Sequence, residues 1–129
     1  MANIYLDVNW LIDFSEKRGG TDFGLKLEEQ RVFISPLSIH IAFYVGKKKI
    51  PNEPIYKFLM EFKIVDFTEE ILTKSFHGPT EDLEDNIQLY SAVEADCDYF
   101  LTHDKTLLKL KFFGKLRIVD IIPSPLPWD

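Results

Sequence analysis

Asn3-Ile4-Tyr5-Leu6-Asp7-Val8-Asn9-Trp10-Leu11-Ile12-Asp13-Phe14 is the stretch on which the fold turns. Its first half is a short apolar, β-prone run; its second carries Trp10, Leu11 and Phe14 at helical spacing, predicting a helix over 9–18 that Gly19-Gly20 stops. A strand thus passes directly into a helix, and the unit recurs. Residues 21–30 read as a second short helix, and Arg31-Val32-Phe33-Ile34 as a second strand closed by Ser35-Pro36. An apolar helix over 38–47 ends at Gly46 and the basic run Lys47-Lys48-Lys49, and another spans 54–62. Lys63-Ile64-Val65-Asp66-Phe67 is a third strand, followed by a helix over 68–77 with Thr68 as N-cap and Gly78-Pro79 as its stop. The next helix covers 81–95 with Thr80 as its cap and leads into the strand Asp98-Tyr99-Phe100-Leu101. A short helix and the strand Arg117-Ile118-Val119-Asp120 complete the order, and the proline-rich tail 123–127 is expected to be extended.

Short strands separated by helices need crossover connections, which makes neighbouring strands parallel and puts helices on the sheet's faces. The expected architecture is α/β, with a mostly parallel central sheet of about five strands flanked by helices on both faces. With 129 residues, 46% hydrophobic and 28% charged, the chain has the length and balance of one packed domain spanning residues 1–129.

Cys97 is the single cysteine, which excludes an intramolecular disulfide and a cysteine-based zinc site and suits a reducing compartment. The N-terminal segment lacks the basic flank and apolar core of a signal peptide, and no run approaches about 18 apolar residues. The expectation is a cytoplasmic protein that does not span a membrane. A net charge of −6 and a pI near 5.0 argue against a protein that coats nucleic acid through a broad basic surface. They do not argue against a nuclease, whose carboxylates hold cations that supply the phosphate affinity.

In a parallel α/β sheet, ligands bind beyond the carboxyl ends of the strands. Asp7 follows the first strand and Asp104 follows Tyr99-Phe100-Leu101 after the turn Thr102-His103, so both are expected to face one crevice. Asp82 and Asp85 stand three apart in Glu81-Asp82-Leu83-Glu84-Asp85 and share a helix face, with Leu83, Ile87 and Tyr90 marking the buried side. Acids in a first turn also serve the helix dipole, a role that suits Glu81 and Asp82 better than Asp85, one turn further in. Clustered carboxylates raise one another's pKa unless a cation neutralises them, and such hard oxygen donors select Mg²⁺ or Mn²⁺. That chemistry suits phosphodiester hydrolysis. His40, His77 and His103 are scattered over different elements and read as solvent-facing or hydrogen-bonded histidines; Lys47-Lys48-Lys49 suits the helix C-terminus as well as RNA phosphates.

Asp7-Val8-Asn9-Trp10-Leu11-Ile12-Asp13 resembles the opening of a PIN domain, in which an aspartate ends the first strand and is followed by a small residue, Asn and an apolar helix. Asp82-Leu83-Glu84-Asp85-Asn86 resembles that family's acidic helix start, and Tyr99-Phe100-Leu101-Thr102-His103-Asp104 its strand ending in Thr-x-Asp. The three blocks fall in family order and cover nearly the whole chain. The resemblance, in particular to VapC-like toxins of type II toxin–antitoxin modules, implies a PIN-like fold and Mg²⁺- or Mn²⁺-dependent RNA cleavage. It also implies an antitoxin whose tail occupies the acidic groove. Carried over by residue, it makes Asp7, Asp85 and Asp104 the catalytic and metal-binding acids, with Asn9, Thr102 and, less closely, Asp82 in support.

The family usually carries a Glu on the helix after the second strand, in a frame like S-x-x-[ST]-x-x-E. Here Ser35-Pro36-Leu37-Ser38-Ile39-His40-Ile41 reproduces the frame with Ile41 in the acid's place. A second reading is therefore a PIN-like RNA- or protein-binding module with weakened or lost catalysis. A third class, flavodoxin-like or response-regulator-like, needs a lysine at a late strand end where this chain has Arg117-Ile118-Val119-Asp120. Apolar helices around Trp10, Phe43 and Tyr44 predict exposed apolar surface for a homodimer or an antitoxin.

Overall fold

In the computed structural model, residues 2–17 and 30–123 are described, the side chains of 13–17 excepted. The helix expected over 21–30 and the extended tail lie almost wholly outside the described residues. Ile4, Tyr5 and Leu6 of strand β1 (Asn3–Leu6) are all buried, so both faces of that strand are covered, as a central parallel strand requires. Helix α1 (Val8–Lys17) follows after Asp7 alone, and strand β2 (Arg31–Ile34) has the predicted bounds.

Helix α2 (Pro36–Val45) begins two residues before the expected start. Ser35 is its N-cap, its Oγ accepting from the Ser38 N–H, and Pro36 fits the first turn because its missing N–H would have no helical partner there. Helix α3 (Glu53–Leu59) is capped by Asn52. The third strand is shorter than expected: β3 (Lys63–Ile64) is two exposed residues at the sheet edge, where a ladder has nothing further to pair with. Thr68 caps α4 (Glu69–Ser75) as expected. Helix α5 (Leu83–Glu94) is capped by Asp82 rather than Thr80. Strand β4 (Tyr99–Leu101) and helix α6 (Lys105–Leu110) follow, and the chain closes with β5 (Phe112–Phe113) and β6 (Leu116–Val119).

The sheet has six strands in the order β3-β2-β1-β4-β6-β5. Every pairing is parallel except β5 with β6, a hairpin turned at Gly114, whose φ of +64° favours a residue without a Cβ. The sheet therefore exceeds the expected five strands by one short edge strand. Alternating side chains feed two cores. Ile4, Leu6, Val32, Ile34 and Leu101 pack on one face with Trp10, Leu11 and Leu59, which come from α1 and α3, and with Ile39, Ala42 and Phe43 of α2. Tyr5, Phe100 and Ile118 pack on the other with Leu89, Ala92 and Leu107 from α5 and α6. Helices thus cover both faces. Cys97 lies in the second core, where burial pushes its thiol up to about 12 and keeps it protonated. Among the described residues no helix is long and apolar enough to cross a membrane.

The link from α4 to α5 is tied by one side chain. Buried Asn86 donates from Nδ2 to the Ser75 and Thr80 carbonyls (2.8 and 3.0 Å), while its Oδ1 accepts from the Thr80 N–H and hydroxyl (2.9 and 2.7 Å). Asn86→Ala leaves several of these groups unpaired and is expected to destabilise the fold by roughly 2–4 kcal/mol. Urea unfolding of both proteins checks it; a change within about 0.5 kcal/mol, the range of ordinary surface substitutions, would show that the link holds without the clamp.

Candidate functional site

The chain leaves β1 toward β2 on one side and reaches β4 on the other, so strand order reverses between β1 and β4. Crossovers diverge at such a point and open a crevice at the carboxyl ends of the strands. Asp7 lies just past β1 and Asp104 just past β4. The ladder continues beyond both strands, with the Asp7 N–H donating to the Leu101 carbonyl (3.0 Å) and the Thr102 N–H to that of Val119 (2.9 Å).

Asp7 is only 2% exposed. Its Oδ1 accepts the Val8 N–H at 2.7 Å and its Oδ2 accepts the Thr102 hydroxyl at 2.7 Å. The same hydroxyl oxygen accepts the Asp104 N–H at 3.0 Å, so fully buried Thr102 holds one acid by its side chain and the other by its backbone. Asp104 caps α6 through Oδ1, which accepts from Thr106 and Leu107; among the described residues its Oδ2 accepts no hydrogen bond. Burial raises the Asp7 pKa; the Thr102 and Val8 bonds oppose that rise, Asp104 adds to it, and His103 opposes it.

Helix α5 brings the remaining acids. Half-buried Asp85 is pushed up to about 7, chiefly by burial and then by the charges of Asp82, Asp7, Asp104 and Glu84. Glu84 is also raised, by burial and then by Asp82 and Asp7. Asp7, Asp85 and Asp104 are thus within one another's electrostatic range although far apart in sequence. Among the described residues no three Asp, Glu, His or Cys side chains already stand as a ready-made group of metal ligands. Asp82 is exposed and its Oδ1 accepts the Asp85 N–H at 2.9 Å, a capping task that fixes the first turn of α5. Asn9 is exposed in the first turn of α1.

Two features have no counterpart in the sequence reading. His103 is exposed and stacks on Trp10, with ring centroids 4.2 Å apart and planes 19° from parallel. Trp10 is only 5% exposed, so it does not supply the exposed apolar surface expected of it. Beneath the acids lies a buried polar network. The Tyr5 hydroxyl donates to Gln88 Oε1 at 2.6 Å, and Ser38 Oγ donates to the same atom at 3.0 Å, with Ser35 Oγ 3.3 Å from that of Ser38. It joins β1, the start of α2 and α5, with Gln88 one turn beyond Asp85. Ser35 and Ser38 belong to the serine frame seen in the sequence; nothing in the spacing marked Tyr5 or Gln88 as their partners.

Ile41 lies one turn past Ser38 and is half-buried, in neither core among the described residues. No family model and no curated protein matches this chain. The resemblance to PIN domains accordingly rests on the strand ends and the helix start alone.

The raised acids fix the sign of a pH effect. An unfolded Asp titrates near pH 3.9, whereas folded Asp85 titrates at about 7. Between those values the folded state binds the extra proton, so stability without divalent cations falls as pH rises from about 4 to about 7. Asp85→Asn removes the largest part of that slope and is expected to be the more stable protein at pH 7. Thermal midpoints across this pH range check it, and parallel profiles for the two proteins would refute the assignment.

Proposed function

We propose that this chain is a metal-dependent endoribonuclease of the PIN-domain type, toxin-like and held in check by an antitoxin. The observation that carries the reading is that Asp7 and Asp104 are joined through the Thr102 hydroxyl at the point where strand order reverses, with Asp85 within electrostatic range of both. Carboxylates assembled at a cost in desolvation and repulsion are the arrangement a divalent cation relieves. The donors fit Mg²⁺ or Mn²⁺: all are oxygens, and each Asp7 oxygen keeps a lone pair beyond the one hydrogen bond it accepts. When bound, such an ion supplies an acidified water and stabilises charge on the departing oxygen of a phosphodiester.

The protein's own residues divide the remaining work. Asp7, Asp85 and Asp104 hold the ion, and Thr102 fixes the direction of Asp7. Asp82 orients the first turn of α5, and Asn9 supports the rim. Exposed Tyr44 (80%), Val45, Ile50, Tyr56 and Met60 near the end of α2 and on α3 give apolar surface for an antitoxin or a second copy. The reading includes a cytoplasmic location, where the RNA is. One observation favours a second reading, a binding module of weak catalysis: α2 carries Ile41 where the family has its acid.

The test is cleavage of fluorescent RNA with Mn²⁺. Asp7→Asn is expected to reduce cleavage to background, and Thr102→Val to cost about 10–100-fold through loss of the bond that orients Asp7. Full activity in a folded Asp7→Asn protein would end the nuclease reading.

Because Ile41 is outside both cores, Ile41→Glu is expected to fold and to tighten Mn²⁺ binding in calorimetry, since it adds charge and a hard donor. Unchanged affinity in the folded variant would show that this turn of α2 does not supply a ligand position.

A further inference from the structure

His103 sits between Thr102, which holds Asp7, and Asp104. An exposed side chain normally keeps its rotamer freedom, because ordering it costs entropy. Here the ring lies flat against an almost fully buried indole at 4.2 Å. Trp10 is in the first turn of α1, three residues after Asp7, so the backing ring is fixed to the same strand end as the acid. With one face against Trp10 and the residue exposed, the imidazole offers its other face to solvent at the rim of the acidic crevice. The residue before His103 bonds Asp7 and the residue after it is Asp104, which sets the ring and these two acids within a nucleotide's reach of each other.

We propose that the solvent face of His103, backed by Trp10, is a stacking platform for one unpaired base of a single-stranded RNA whose scissile phosphate lies on the acids. The inference rests on the nuclease reading and adds to it a substrate class and a residue that selects it. Aromatic faces accept any base, since every base has a π face, so the platform confers preference for unpaired strand over duplex rather than for a sequence. A base inside a duplex is already stacked on its neighbours and gains little by moving. His103→Ala keeps the hydrogen bonds of the acids and removes the platform; the loss of the His103 charge near Asp7 is shared by His103→Phe, which keeps an aromatic face.

The experiment measures kcat and KM for Mn²⁺-dependent cleavage of a single-stranded RNA oligonucleotide and its duplex form, with wild type, His103→Ala and His103→Phe. Thermal midpoints confirm that both variants fold. His103→Ala is expected to raise KM for the single strand by about tenfold, the size of one lost base stack, while His103→Phe keeps KM near that of wild type. A single abasic residue, walked along the oligonucleotide, is expected to raise the wild-type KM at one position by a similar factor and to have no effect there in His103→Ala, because both changes remove one contact. Wild-type preference for single strand over duplex should shrink in His103→Ala. Three results would overturn the platform while leaving the nuclease intact: an unchanged KM in His103→Ala, a loss in His103→Phe equal to that in His103→Ala, or additive effects of the abasic residue and the Ala. Absence of any Mn²⁺-dependent cleavage by wild type would remove the nuclease reading, and the platform with it.

Discussion

A carboxylate buried at the end of a β-strand must be hydrogen-bonded or give up its charge. Asp7 meets this condition through the Thr102 hydroxyl, a 2.7 Å bond between residues 95 apart in sequence that joins the ends of two adjacent parallel strands. The bond exists because β1 and β4 pair in a register that sets Leu6 opposite Leu101, which places the following residues, Asp7 and Thr102, side by side. The same oxygen receives the Asp104 amide, so the start of α6 is fixed by the group that fixes Asp7. Central-strand burial, sheet register and the geometry of two acids thus depend on one hydroxyl.

The rest of the crevice is built against electrostatic resistance. Asp85 and Glu84 arrive on a helix whose first turn is partly buried and faces other negative charge, and both are raised accordingly. What holds α5 in this position is the Asp82 cap, the four bonds of Asn86 and the Gln88 contacts with Tyr5 and Ser38. Apart from the exposed Asp82 cap these are buried or part-buried polar contacts, which resist displacement because a broken partner would be left with little access to water. Stability spent at the acids is offset by the packed cores on both faces of the sheet, an arrangement expected where a fold serves a site.

The sequence made the central layer legible for a physical reason: strands buried on both faces need unbroken apolar runs, and Ile4-Tyr5-Leu6 and Tyr99-Phe100-Leu101 have them. The positions of Asp7, Thr102 and Asp104 follow from such runs, because the residue after a central strand falls at the crevice. Helix starts were less legible. Ser35 and Asp82 won the capping positions over the expected starts because Pro36 is favourable in a first turn, and because the side chain of Thr80 is engaged by Asn86. Strand β5 leaves no mark in the sequence, since Phe112-Phe113 is too short to show a period and pairs through its hairpin with β6. The burial of Trp10 is not legible in the sequence, because helical spacing identifies an apolar face without saying what covers it. The His103 stack was invisible altogether, since it joins α1 to a turn 93 residues later.

The apolar side chain of Ile41, at the position where the PIN-domain resemblance implies an acid, also has an electrostatic side. A carboxylate on α2 would add repulsion to a crevice where Asp85 already titrates at about 7 without it. The chain instead has Glu84 on α5, within range of Asp7 and raised in part by its charge. Glu84, a further carboxylate within electrostatic range of Asp7, therefore comes from the same helix as Asp85. Two acids on one helix move together, so a shift of α5 alters both at once, whereas acids on α2 and α5 would respond to separate elements. The polar network under the crevice consequently bears more on the site than the apolar position on α2 does: Gln88 and Asn86 set where α5 lies, and with it the positions of both Glu84 and Asp85.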